Sequence, residues 1–241
     1  RYLHLSIRRQ RHMCIRDSVP NKPKFLTEAE SKLMTHDRWS PKGISRVPIK
    51  FGLNVRGNLY FKKGLTGKLP VVIWLHPLSY HSGYNEGYGV QGTTLYHRLA
   101  DNGFAVIAYD QCGFGLRLLE GRDFYTNYPR WSKLGRMVMD ARDAVSFVLD
   151  GKGKSKSLVP FFDKNRVFLL GYSTGSIAAM YTGVLDNRIA GIACFSGWTP
   201  LRDTSKEIAT GGNQRLWNLH ALQPKLGWFD NREAELPFDY K

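Results

Sequence analysis

Four short apolar runs constrain this chain more than any other feature. They are LPVVIWL at 69–75, FAVIAYD at 104–110, RVFLLG at 166–171 and AGIACFSG at 190–197. None alternates apolar with polar residues, which is the pattern of a strand covered on both faces. Segments of helical character separate them. TTLYHRLADN (93–102) is followed by Gly103, a residue suited to ending a helix. KLGRMVMDARDAVSFVL (133–149) sets Leu134, Met137, Val138, Ala141, Val145 and Val148 three or four residues apart, an amphipathic helix. Ser176 to Leu185 reads as a helix of small residues. Ahead of all these, SRVPIKFGLNVRGNLYFK (45–62) reads as two strands around a turn at Arg56-Gly57. Strands alternating with helices predict an α/β fold, a mainly parallel sheet with helices on both faces and right-handed crossovers.

The 241 residues, 42% of them hydrophobic, suffice for one globular domain, expected over 19–241. Residues 198–241 leave the alternation and read as a helical excursion over the sheet, with NQRLWNLHAL as its helix. Residues 1–18 read as a non-native or disordered extension. They have no helical or strand period and no apolar stretch of signal-peptide length, and HMCIRDS resembles translated adapter sequence. No apolar run reaches the roughly 18–20 residues of a membrane span. The net charge of +15 invites a nucleic-acid reading, but residues 1–18 alone supply +4 of it. Another dense patch, GKGKSKS at 151–157, has the composition of a solvated loop, and no basic stripe is interleaved with stacking aromatics. Nucleic acid is therefore not an expected partner. Cys14, Cys112 and Cys194 are too few and too scattered for a disulfide framework or a zinc site, and Cys194 reads as a core residue.

GYSTGS (171–176) lies between the third apolar run and the small-residue helix. A serine flanked by two glycines at a strand-to-helix junction is what a nucleophile elbow needs. The glycines let the backbones pass closely, and the hydroxyl of Ser173 then stands at the carboxyl edge of the sheet. The N–H of Thr174 points into the same space and is an oxyanion donor candidate. The plainer alternative is a glycine-rich turn in which Ser173 caps the helix.

GYSTGS, the LHPLSYHSGY loop after the first buried strand and YDQCGFG after the second together resemble an α/β-hydrolase. Over roughly residues 40–240 the chain is similar to the dienelactone hydrolase and acetylxylan esterase-like group. That resemblance implies a serine esterase whose Ser173 forms an acyl-enzyme, with a small-molecule or carbohydrate ester as substrate and no cofactor. It also implies a second oxyanion donor in His76-Pro77-Leu78. Pro77 has no N–H, so Leu78 is the expected donor, with Ser79 in reserve. His76 would brace this loop. His76, His81 and His97 lack a carboxylate at ligand spacing, so no metal is expected. Tyr80, Tyr84 and Tyr88 read either as pocket lining or as loop packing. Asp110 precedes the serine, whereas the fold's order is serine, acid, histidine, so Asp110 is expected to hold the QCGFG turn.

The acid and base are harder to find. After Ser173 the chain has Asp186, Asp203, Asp230, Asp239 and one histidine, His220. Asp186 falls at the wrong end of its helix, and His220 sits inside NQRLWNLHAL, so it is a weak candidate base. No buried strand run follows residue 197. The expectation is a truncated chain, with the last strands, the acid and the catalytic histidine beyond Lys241. A non-catalytic binding protein and a serine peptidase of the same fold stay open as alternatives.

Overall fold

The computed structural model describes residues 40–85, 94–151, 161–197, 222–223, 228–229 and 232–235. Contacts gather them into two compact units, the larger spanning 24–122 and 137–197.

The larger unit is built on one six-stranded sheet. Strands β1 (Ile44–Phe51) and β2 (Val55–Lys62) form a hairpin. Then come β3 (Leu69–Leu75), helix α1 (Leu95–Asp101) and β4 (Ala105–Tyr109). Helix α2 (Leu118–Arg122) follows, and after α3 (Phe124–Asn127), which belongs to the smaller unit, the long α4 (Lys133–Asp150) enters the larger unit at Met137. Strand β5 (Phe162–Tyr172), helix α5 (Thr174–Leu185) and β6 (Gly191–Phe195) complete it. The spatial order is β1-β2-β4-β3-β5-β6. The pairs β4–β3, β3–β5 and β5–β6 are parallel, and β1 and β2 run antiparallel to their neighbours. This is the α/β-hydrolase arrangement. Among the described residues no strand follows β6, where Ile192 and Phe195 are exposed.

Alternation along the strands decides what each helix covers. Val72, Trp74, Val106 and Ala108 face a cluster with Tyr60, Tyr84, Tyr96 and Ala100, which seats α1 on one side. The intervening Val71, Ile73 and Ile107 are also fully buried. On their side Tyr109 packs on Phe51, and Phe51 on Phe147 of α4. All six apolar positions expected on the α4 stripe are buried. The Ser132 hydroxyl accepts the Gly135 N–H at 2.9 Å and caps α4.

The hairpin turn is not at Arg56-Gly57. It runs over Gly52–Asn54, where Gly52 and Asn54 take φ of 51° and 64°. Gly57 lies inside β2, opposite Ile49 on one side and Tyr109 on the other. A Cβ there would come within 2.6 Å of the Ala108 carbonyl oxygen. Its glycine thus serves close approach of two strands, which looks the same in sequence as a turn. Cys194 is half-buried on β6 rather than deep in the core. NQRLWNLHAL, apart from Leu222, lies outside the described residues, as do residues 1–18.

The smaller unit comprises 1–23, 123–136 and 198–241. In it the Leu134 N–H donates to the Leu222 carbonyl at 3.1 Å, and the Lys133 N–H to the Tyr125 hydroxyl at 3.2 Å.

Candidate active site

Strands β3, β4, β5 and β6 end at one carboxyl edge, and the residues singled out in sequence collect there. Leu75 pairs with Gly171 and Tyr172 with Phe195, so the loops leaving β3, β5 and β6 emerge side by side.

Ser173 follows β5 directly, with φ 54° and ψ −119°. A non-glycine residue in such a conformation costs on the order of 1–3 kcal/mol and persists only where its surroundings enforce it. The surroundings here are tight. A Cβ on Gly171 would strike the Gly175 carbonyl oxygen, and one on Gly175 would strike the Leu75 carbonyl oxygen. The Ser173 N–H donates to the Phe195 carbonyl at 2.9 Å, and the Ser176 N–H to the Ser173 carbonyl at 2.9 Å. Ser173 is half-buried, and its side chain makes no capping hydrogen bond to α5. Capping, the plainer reading of this serine, is therefore not its role in this geometry. Thr174 is buried and opens α5, where the first backbone N–H groups have no intrahelical acceptor.

The β3 loop is fixed by a histidine. The Gln111 N–H donates to His76 Nε2 at 3.0 Å, so the ring proton is on Nδ1, which donates to the Pro77 carbonyl at 2.6 Å. The Gln111 side chain adds a bond to the His76 carbonyl at 2.7 Å. Both ring nitrogens are committed, which leaves His76 no lone pair for base catalysis. A trans amide sets its N–H opposite its C=O. Pinning the Pro77 carbonyl toward the ring therefore turns the Leu78 N–H away from it. Leu78 is half-buried.

Asp110 joins two loops. Its Oδ1 accepts the Tyr84 N–H at 2.9 Å and its Oδ2 the Leu116 N–H at 3.0 Å. Gly83 and Gly115 pack so closely on this carboxylate that a Cβ on either would overlap it. Asp110 thus holds the QCGFG turn and the β3 loop together. Tyr84 is buried, with its hydroxyl 2.6 Å from Asn58 Nδ2 and 3.1 Å from the Tyr60 hydroxyl, so it is loop packing and not pocket lining. Tyr80 is 43% exposed at the same edge, and Tyr88 lies outside the described residues.

His97 is buried against Tyr60 and Tyr96, with Nδ1 2.9 Å from the Thr94 hydroxyl. Burial lowers its pKa to about 4. Among the described residues no three His, Cys, Asp or Glu side chains gather as metal ligands. Asp186 stands at the far end of α5 from Ser173, held by Arg188 at 2.7 Å and Arg142 at 3.5 Å. The hydrogen bond from Arg188, ahead of the other causes, lowers its pKa. Asp203, Asp230, Asp239 and His220 lie outside the described residues.

Sequence reasoning missed a buried ion cluster behind this edge. Arg117 donates to Glu120 at 2.7 and 3.0 Å, to Asp140 of α4 at 2.7 Å and to the Asp110 carbonyl at 3.0 Å. It ties the β4 loop to α4. The i,i+3 spacing of Arg117 and Glu120 was its one visible trace.

The comparisons agree with this architecture. The chain resembles the acetyl xylan esterase from Paenibacillus sp. R4, at 20% identity over 86% of this chain and 66% of that one, with a TM-score of 0.50. It also resembles acetyl xylan esterase 1 from Thermoanaerobacterium sp. JW/SL YS485, at 17% identity over 84% and 61%, with a TM-score of 0.51. A dienelactone hydrolase-like promiscuous phosphotriesterase from metagenomic libraries matches at 18% identity over 64% and 60%, with a TM-score of 0.44. The chain spans between half and two thirds of the length of these and similar solved relatives. No curated protein matches it in sequence. The family model described as serine aminopeptidase, S33, matches residues 78–238, two thirds of the chain. The chain belongs to this S33 family of α/β-hydrolases.

Proposed function

We propose that this chain supplies the nucleophile of a serine hydrolase that cleaves carboxylic esters through an acyl-enzyme on Ser173. The observation that carries the reading is the strained turn at Ser173, which holds a hydroxyl free of the helix cap at the carboxyl edge of the sheet. A general base takes the Ser173 proton as the oxygen attacks the ester carbonyl. The N–H groups of Thr174 and Leu78 receive the oxyanion, each worth about 3 kcal/mol in the transition state. The base returns its proton to the leaving alcohol, and water then releases the acid by the same steps in reverse. Among the described residues no acid and no base are assigned to this scheme, and His220, outside them, is a weak candidate base. The substrate is a small-molecule or carbohydrate ester, as the names of the acetyl xylan esterases suggest. The family's aminopeptidase description favours short peptides as the second substrate class.

A fluorophosphonate probe and a p-nitrophenyl acetate assay test this on the protein. Labelling and hydrolysis that disappear in Ser173→Ala support it. Labelling that persists in that variant, or its absence in the wild type, rejects it. Comparing acetyl esters with aminoacyl amides separates the two substrate classes.

A further inference from the structure

We propose that Ser176 is a positioning residue, whose hydroxyl holds Ser173 in its strained turn. Only the catalytic consequence rests on the hydrolase reading above. Ser176 is fully buried at the third position of α5, where packing alone would be served by alanine. Its Oγ is 2.8 Å from the Gly171 carbonyl and 2.9 Å from the Phe195 carbonyl. One hydroxyl proton is shared between these two acceptors. The Phe195 carbonyl is also the acceptor of the Ser173 N–H, and the Ser176 N–H donates to the Ser173 carbonyl. Ser176 therefore grips the nucleophile residue from both sides. Its amide holds the carbonyl of Ser173, and its hydroxyl anchors the group that holds the amide of Ser173. The Cys194 thiol in turn lies 3.5 Å from the Ser176 carbonyl. A buried hydroxyl is desolvated at a cost, and this one is spent on the two strand ends that flank the elbow.

The test compares Ser176→Ala with Thr182→Val. Thr182 is also fully buried on α5, and its hydroxyl donates to the Ala178 carbonyl at 2.7 Å, so both variants delete one buried hydroxyl from the same helix. Native-state hydrogen exchange of the Ser173 amide, probe labelling and kcat are all measured on the protein. Loss of about one net hydrogen bond predicts Ser173 amide exchange, labelling and kcat changed on the order of tenfold in Ser176→Ala, with KM unchanged. Thr182→Val leaves all of these within about twofold while lowering Tm comparably. Exchange in Ser176→Ala equal to that in Thr182→Val overturns the proposal. Should the alanine variant not fold, Ser176→Cys, with its weaker donor, decides on the same exchange ranking. A wild type that neither labels nor hydrolyses rejects the hydrolase reading alone, since amide exchange still decides the role of Ser176.

Discussion

Replacing Arg117 with methionine removes the cation from a buried cluster while keeping most of the side-chain volume. The Arg117 side chain is 2% exposed, and Glu120 and Asp140 are 5% and 0% exposed. The substitution deletes the two-pronged bond to Glu120, the bond to Asp140 and the bond to the Asp110 carbonyl. Removing one partner of a buried ion pair costs about 3–5 kcal/mol. Glu120 and Asp140 keep other interactions, which places the expected loss at the lower end, about 3 kcal/mol. Against a typical domain stability of about 5–15 kcal/mol this is a large fraction. Urea unfolding followed by tryptophan fluorescence at pH 7 measures it. Stripped of the guanidinium, the two buried carboxyls have raised folded-state pKa values. The folded variant then binds more protons than its unfolded chain, and the gap to wild type narrows as pH falls from 7 to 5. Adding Glu120→Gln and Asp140→Asn recovers part of the loss. A loss under about 1 kcal/mol at pH 7, or a gap that widens toward pH 5, refutes the reasoning.

Three further outcomes are expected. His97 is held neutral by burial with its pKa lowered to about 4, so its contribution is whole above the unfolded value of 6.5. It declines as pH falls through that window by at most about 3 kcal/mol, and denaturation of His97→Gln shows a flatter profile there. Leu78→Pro deletes the N–H that the proposed scheme gives to the oxyanion, so kcat for ester hydrolysis falls roughly 10²–10³-fold with far-ultraviolet circular dichroism unchanged. Gly175→Ala forces a methyl group onto the Leu75 carbonyl and lowers stability by about 2 kcal/mol in urea titration.

The sheet was legible because its strands are continuous apolar runs, and the observed β3 matches LPVVIWL residue for residue. The tight turn at Ser173 was legible because close backbone packing around it leaves only glycine at 171 and 175. What escaped was the meaning of a residue whose partner is distant in sequence. Gly57 looked like a turn because nothing local reveals Tyr109 beside it. Arg117 and Asp140 are 23 residues apart, and nothing local in the sequence pairs them. Tyr84 read equally as pocket lining or as loop packing until Asn58 and Tyr60 of β2 were brought to its hydroxyl. Ser176 passed as a small helix residue because its acceptors include a carbonyl 19 positions away.

The shared carboxylate of Asp110 has an evolutionary consequence. It fastens the loop after β3 at Tyr84 and the loop after β4 at Leu116, nine and seven residues after the strands end at Leu75 and Tyr109. Sequence change beyond those two points removes neither hydrogen bond to Asp110. Descendants of this chain can therefore exchange the outer parts of both loops while the two fastenings stay in place. Drift at Asp110 itself would loosen both loops together, so the position constrains two otherwise independent segments at once.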